Sequence, residues 1–171
     1  TKIIENYYGE RGENKVIGGD PFDKKIFISG TRKLKWKNKE RLYRAFEIAQ
    51  QTNPNLILDD QNYPYDEFVL KIEQAYAVIL VSLGDISPNM ILDAIRAKKP
   101  FILTTENGLK SRLFGLGMEC DPESEQDISR KILWLVQSEN YIEEKKKIAQ
   151  FNFTHSWADI AKEFLSLVKE I

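Results

Sequence analysis

The 171-residue sequence contains a single cysteine, Cys120, and a single histidine, His155. One cysteine cannot form an internal disulfide, so a reducing compartment is expected and a cytoplasmic location is the default. With one histidine and one cysteine, no histidine-based nucleophile triad can be argued in its usual form, and the sequence shows no metal-binding cluster. His155 precedes the last predicted helix, where Ser156 and Asp159 have the spacing of a capping box. We therefore expect a structural role for this histidine.

The chain also lacks long apolar runs and a large excess of charge of either sign. No segment approaches the ~20 apolar residues of a membrane-spanning helix, so no transmembrane segment is expected. The start shows no signal-peptide pattern, and the absence of an initiating methionine suggests a fragment or processed form of a longer protein. The formal net charge of −1 does not favour a nucleic-acid partner. With 30% charged and 42% hydrophobic residues, 171 residues suit one ordinary domain with a sizeable core.

What the sequence does contain is a strand-and-helix pattern that follows a polar N-terminal segment. Residues 1–24 include four glycines and the pair Asp20-Pro21, and are interpreted as a linker or irregular segment. Residues 25–171 form the predicted domain, in which short apolar runs alternate with helical spacing. The predicted strands cover residues 25–30, 56–58, 77–82, 101–105 and 118–120. This alternation predicts an α/β fold, a Rossmann-like parallel five-stranded sheet with helices on both faces.

Residues 82–95 contain the strongest candidate for a ligand site. They follow an apolar run and begin a helix, for which Ser87 is a natural N-cap and Pro88 suits the first helical position. Asp85 lies in the loop, and Asp93 lies in the otherwise apolar helix, where a buried carboxylate is costly without partners. Ligands bind at the carboxyl ends of parallel strands. Here the helix N-terminus suits phosphate and the two carboxylates suit sugar hydroxyls.

The pair Asp85-x7-Asp93 resembles the acidic motif of the retaining GT-B glycosyltransferases of the large family four. The resemblance covers residue 25 to the C-terminus. It continues through Ala94, Lys99-Pro100, the strand 101–105, Asn107-Gly108 and Phe153-Thr-His-Ser-Trp157. The chain departs from the family in having Asp where Glu is usual and Ile86-Ser87-Pro88 where Gly-Phe-Gly is common.

The segment between the second strand and the acidic motif is also shorter than in the family, by one helix-strand unit. We therefore expect one half of a GT-B fold with five strands in the order 2-1-3-4-5. Its switch point would lie between the first and third strands, so that residues 30–37 and 83–87 line one crevice. Asn38 is a plausible cap of the helix predicted over 39–51.

The resemblance implies roles for particular residues in binding a nucleoside diphosphate sugar. Asp85 would lie beside the donor sugar and Asp93 would bind the ribose hydroxyls. In the basic loop after the first strand, Arg32 and either Lys35 or Lys37 would stabilise the diphosphate, although this loop is also typical of a solvated surface. The remaining donor-binding candidates are Ser87, Asn89, Thr105 and Gly108. No cofactor and no metal are implied.

The implied function is that of the C-terminal donor-binding domain of a glycosyltransferase in polysaccharide or glycoconjugate biosynthesis. It would transfer a sugar with retention to an acceptor glycan or lipid-linked glycan, which a missing N-terminal domain would hold. The isolated domain would be an incomplete enzyme, and the full-length protein would act in the cytoplasm or at the cytoplasmic face of a membrane. Two alternatives stay open: a non-catalytic nucleotide-sugar binding module, and a small deoxyribosyltransferase-like nucleotide-processing enzyme.

Overall fold

The computed structural model describes residues 24–30, 34–151 and 157–169. Most of the predicted linker 1–24 lies outside these ranges, as do Arg32, His155 and Ser156. The predictions made for them, and the division of the chain at residue 25, therefore stay predictions.

The described residues form a parallel five-stranded sheet in the order β2-β1-β3-β4-β5, as the sequence predicts. Apolar and β-branched residues fill the central strands because both faces of the sheet are covered. The strands are β1 (Lys25–Ser29), β2 (Leu56–Asp59), β3 (Ala77–Leu80), β4 (Phe101–Thr104) and β5 (Met118–Cys120).

Helices connect and follow the strands, so that each strand leaves the sheet at the same edge. The described part of the first connection contains a 3-10 helix, Lys35–Lys37. The α-helices are α1 (Lys39–Thr52), α2 (Tyr65–Gln74), α3 (Asn89–Arg96), α4 (Lys110–Leu113), α5 (Glu125–Leu135), α6 (Ser138–Gln150) and α7 (Trp157–Lys169). None of the helices in the described ranges is long and apolar enough to cross a membrane.

Two apolar clusters cover the two faces of the sheet. Neighbouring strand residues belong to opposite clusters, as the two-residue period of a strand requires: Phe27 belongs to one and Ile28 to the other. The first cluster includes the buried faces of α1 and α5, and the second those of α2 and α3. The core therefore fixes the sheet between two helical layers and holds the carboxyl ends of β1 and β3 side by side.

Candidate functional site

The candidate site lies at the switch point of the sheet, where the strand order reverses. β1 pairs with β3, but the next strand after β1 lies on one side of this pair and the next after β3 on the other. The loops that leave β1 and β3 therefore diverge and leave a crevice between them. Contacts between the described parts of these loops include a hydrogen bond from Leu83 N to Trp36 O at 2.8 Å and an ion pair in which Lys37 Nζ lies 2.7 Å from Asp85 Oδ2.

Lys37 and Asp85 form a partly buried ion pair across this crevice. The side chains are 15% and 12% exposed, so the pair is shielded from most of the solvent without being isolated from it. The Lys37 ammonium also lies 4.1 Å from the centroid of the Trp36 ring, within the range of a cation–π contact. Lys35 begins the same 3-10 helix but is exposed. Of the two candidate lysines, Lys37 is thus the one that contacts the acidic loop, through Asp85.

Asn38 fastens this part of the crevice to the strands below it. It occupies the N-cap position of α1, as the sequence predicts, but its side chain makes no capping hydrogen bond there. Instead the Asn38 Nδ2 donates to Val81 O at 3.0 Å and to Pro122 O at 2.7 Å. The residue has φ 58° and is buried, and asparagine tolerates this left-handed conformation better than most residues.

The loop after β4 is bonded directly to the acidic loop. Asp85 N donates to Glu106 O at 2.9 Å, and Gly108 N donates to Asp85 O at 3.0 Å. These bonds make a parallel bridge between Asp85 and Asn107. A Cβ at Gly108 would lie 2.1 Å from Ile86 O, so the two backbones can approach this closely only because residue 108 is glycine.

Thr105 lies beside this bridge and lines a cleft of about 320 Å³. Its backbone N–H donates to Cys120 O at 2.9 Å, which fixes the loop to β5. The cleft is lined by Leu83, Thr105, Glu106, Asp121, Pro122 and Glu123. Thr105 and Gly108 thus both lie next to the loop that carries Asp85.

The start of α3 differs from the prediction. The helix begins at Asn89 with Pro88 at the N-cap position, where its ψ of 81° lies outside the helical range, and no side chain caps the helix. Ser87 is exposed, and its carbonyl accepts from Asn89 N at 2.8 Å in a tight turn. Ser87 is therefore not the N-cap, because Pro88 takes that position, but Ser87 and Asn89 do lie exposed at the mouth of the loop.

Asp93 lies in the second turn of α3 and is only 6% exposed. Its Oδ1 accepts from Tyr65 Oη at 3.2 Å and from Arg96 at 2.8 Å. Burial raises the pKa of the Asp93 carboxyl above its ordinary value of 3.8, against the opposing effects of Arg96 and the Tyr65 hydroxyl. Among the described residues, no hydrogen bond joins Asp93 to Asp85 or Lys37, so the two acids of the motif have separate partners.

The sequence pattern does not predict the contacts of two residues of the site. Tyr65 reaches Asp93 from α2, and Asn38 joins three segments. An asparagine between two lysines just before a helix is a signal for a left-handed residue, but it is equally a signal for a cap. Nothing local in the sequence indicates the Tyr65 contact.

The remaining reactive groups offer no alternative centre in the described part of the chain. Burial is the main cause that raises the pKa of the Cys120 thiol to about 12, so it is not an active nucleophile near neutral pH. Among the described residues, no group of three or more His, Cys, Asp or Glu side chains could hold a metal ion.

Comparison with solved structures relates this fold to glycosyltransferases. The chain is similar to an alpha,alpha-trehalose-phosphate synthase (UDP-forming) from Burkholderia vietnamiensis, with TM-score 0.67 and 8% identity over 86% of this chain and 46% of that one. It is also similar to the sucrose-phosphate synthase of Thermosynechococcus elongatus, with TM-score 0.61 and 14% identity over 86% and 45%. A third is the C-terminal domain of a glycosyl transferase group 1 family protein from Francisella tularensis, with TM-score 0.59 and 17% identity over 76% and 82%. No family model and no curated protein matches the chain.

These likenesses define the class of fold. The chain is an α/β domain with the Rossmann-like architecture found in one half of GT-B glycosyltransferases. It spans less than half the length of the two synthases but most of the isolated C-terminal domain.

Proposed function

We propose that this chain is the donor-binding domain of a retaining glycosyltransferase and binds a nucleoside diphosphate sugar in the crevice between β1 and β3. One observation carries the proposal. At the switch point, a partly buried lysine and a partly buried aspartate meet at 2.7 Å from loops on opposite sides. A cation so placed can exchange its carboxylate partner for the diphosphate of a ligand, and the carboxylate can then accept from sugar hydroxyls.

The neighbouring backbone suits the same ligand. The N-terminus of α3 begins directly after the acidic loop, and its exposed end favours negative charge. Gly30, at the end of β1, lies beside the first turn of α3, because an added Cβ there would be 3.6 Å from Met90 Sδ. A diphosphate between these segments would meet the helix N-terminus and the Lys37 ammonium together, with Arg32 of the same loop as a further donor.

Asp93 fits the ribose. Both of its hydrogen bonds reach Oδ1, so among the described residues Oδ2 keeps its full capacity to accept. A vicinal diol can donate to the two oxygens of one carboxylate. The raised pKa of Asp93 reflects the cost of burying this carboxyl, which a hydrogen-bonding ligand would partly offset.

The reaction proposed for the complete enzyme is transfer to an acceptor hydroxyl with retention. The bond between the anomeric carbon and the diphosphate oxygen breaks, and a bond from the acceptor oxygen forms on the same face of the sugar. The proton of the acceptor hydroxyl passes to the departing diphosphate. Lys37 and the N-terminus of α3 would stabilise the charge that grows on the leaving diphosphate. Asp85 would orient the sugar. The acceptor, a glycan or lipid-linked glycan, would be held by another domain.

The names of the similar proteins support the substrate class. One is a UDP-forming trehalose-phosphate synthase and another is a glycosyl transferase C-terminal domain. The Asp85-x7-Asp93 pattern, with its resemblance to family four, supports retention.

Calorimetric titration with UDP, GDP and ADP and with their sugars tests the proposal. The wild type should bind at least one of these nucleotides, and Lys37→Gln should weaken that binding by about 1.5–3 kcal/mol, the range for hydrogen bonds to charged groups. Lys39→Gln is the matched control, because Lys39 is equally exposed and pairs with Asp60 at 2.9 Å outside the acidic loop.

Each alternative corresponds to a different result. If the wild type binds a nucleotide and the two variants Lys37→Gln and Lys39→Gln lose the same amount of affinity, the crevice is not the binding site. Donor binding without any transfer by the full-length parent would indicate a non-catalytic binding module. Release of free base from a nucleoside would instead favour a deoxyribosyltransferase-like enzyme.

A further inference from the structure

We propose that the exposed ring of Tyr65 is the stacking platform for the base of the nucleotide, and that it therefore helps to select which base is bound. This inference rests on the proposed function, because it takes Asp93 as the ribose-binding carboxylate. It adds a residue that the acidic motif does not include.

The position of Tyr65 is described by one hydrogen bond and by the exposure of its side chain. Its hydroxyl donates to Asp93 Oδ1 at 3.2 Å, which ties the side chain to a buried carboxylate. The residue is nevertheless 59% exposed, so much of its side chain faces solvent. Tyr65 is the first residue of α2, which starts at the edge of the sheet where β2 ends. A large aromatic side chain is thus held at the ligand edge by its polar end.

The chemistry of a nucleotide connects this ring to the base. The base and the ribose hydroxyls are attached to the same five-membered ring, so a carboxylate that binds the hydroxyls has the base close beside it. An exposed aromatic ring whose hydroxyl is hydrogen-bonded to that carboxylate is therefore close enough to stack on the base. Such stacking is tolerant of sequence, but larger bases gain more from it.

The other tyrosine in this region is engaged differently. The Tyr63 hydroxyl donates to both oxygens of Asp59, and the Lys71 ammonium lies 5.3 Å from the centroid of its ring. Its polar end is therefore directed to a different carboxylate, away from Asp93. This difference favours Tyr65 as the residue next to a ribose bound at Asp93.

The experiment compares one ligand that has a base with one that lacks it. The wild type, Tyr65→Ala and Tyr65→Phe are titrated with whichever of UDP, GDP, ADP and CDP binds tightest, and then with ribose 5-diphosphate by competition. Tyr43→Ala is the matched control, since Tyr43 is 41% exposed and its hydroxyl also donates to an aspartate, Asp60. Circular dichroism and denaturant unfolding confirm that each variant is folded.

Tyr65→Ala should weaken binding of the nucleotide about tenfold or more, the effect of losing one stacked base. Its affinity for ribose 5-diphosphate should stay within about twofold of the wild type. Tyr65→Phe should retain nucleotide binding because it retains the ring, and Tyr43→Ala should change neither affinity.

Three results would overturn the inference while leaving the proposed function intact. These are equal losses for both ligands in Tyr65→Ala, no loss in Tyr65→Ala, and a loss in Tyr65→Phe as large as that in Tyr65→Ala. The first and third would make Tyr65 a residue that positions Asp93 through its hydroxyl. A wild type that binds none of the four nucleotides would instead contradict the proposed function, and this inference with it.

Discussion

At the scale of single residues, Asn38 connects the crevice to the rest of the fold. Its amide donates to the carbonyls of Val81 and Pro122, which lie 43 and 84 residues further along the chain. Arg41 in turn donates to Asn38 Oδ1 at 3.1 Å. These bonds fix the residue that follows Lys37, and so restrict where the Lys37 ammonium can lie.

Substitution of Asn38 should separate the effect of its side chain from that of its backbone. Asn38→Gly keeps the positive φ but leaves two carbonyls without this donor, which should lower the free energy of unfolding by about 1–3 kcal/mol. Asn38→Ala should lose roughly a further 1–2 kcal/mol, because Ala is strained in the left-handed region. Denaturant unfolding measures both values, and equal losses in the two variants would contradict the assigned φ.

Asp93 shows a conflict between stability and the proposed binding role. Burial raises its pKa in the folded state above the value of 3.8 in an exposed chain. A group with a raised folded pKa stabilises the fold fully below its unfolded pKa, and this contribution is lost as the pH rises through the folded pKa. Ionisation of the carboxyl group that would bind ribose is therefore less favourable in the folded protein than in the unfolded chain.

Asp93→Asn should reveal this conflict, because an amide of similar shape does not ionise. The free energy of unfolding of the variant, minus that of the wild type, should increase from pH 4 to pH 7. At pH 7 the variant should bind the donor about 1.5–3 kcal/mol more weakly than the wild type does. A stability difference that decreases with pH would mean that the Arg96 ion pair outweighs burial, and unchanged donor affinity would exclude the ribose role.

At the scale of elements, the site depends on two loops joined by backbone bonds. The loop after β3 and the loop after β4 pair through Asp85 and Asn107, although neither belongs to a strand. Their close approach requires the missing side chain at Gly108. The pairing between β3 and β4 therefore continues in the loops beyond their carboxyl ends. This added bridge holds Asp85 next to Lys37.

Gly108→Ala should disturb this pairing without touching the core. The added methyl group would meet a backbone carbonyl at 2.1 Å, so the loops must separate. We expect a loss of about 1–3 kcal/mol in the free energy of unfolding, together with weaker donor binding. Gly84→Ala is the control, because a Cβ there has nothing within 4 Å, and its effect should stay within about 0.5 kcal/mol. Equal stability and donor affinity in the two variants would show that the loops can adapt.

At the scale of the whole molecule, the fold offers one switch-point crevice in the described part of the chain. In the order β2-β1-β3-β4-β5, β2 is added on one side of β1, whereas β3, β4 and β5 are added on the other. The switch point therefore lies between β1 and β3. If the donor fills that crevice, as proposed, the acceptor must be held by a surface elsewhere. The synthases of similar fold are more than twice as long as the part of them that matches this chain.

The isolated chain should therefore bind the donor but transfer sugar at least about a thousandfold more slowly than a parent protein with both domains. The physical reason is that an acceptor free in solution is not held next to the anomeric carbon in the orientation that transfer needs. A transfer assay with a matched donor and a range of acceptors measures both proteins. Comparable turnover would contradict the prediction and make this chain a self-sufficient transferase.

The sequence by itself determined the type of fold and the location of the crevice. Apolar runs with a two-residue or buried-strand pattern, separated by helical spacing, are local properties, and they predict the five strands. The order of the strands was expected from the resemblance and from the short segment before the acidic motif. The acidic segment 82–95 is also a local pattern, and the structure places it at the switch point as expected. The start of α3 was predicted one residue too early: Pro88, expected at the first helical position, occupies the N-cap position expected for Ser87.

Only the tertiary structure decided which side chains meet. Lys37 and Asp85 are 48 residues apart, and Tyr65 and Asp93 are 28 apart. The sequence left Lys35 and Lys37 equivalent, because both precede the same helix. The turn of the 3-10 helix and the anchoring of Asn38 place Lys37 on the acidic loop and leave Lys35 exposed. Contacts between distant segments depend on how the layers pack on the sheet, and no local periodicity encodes that packing.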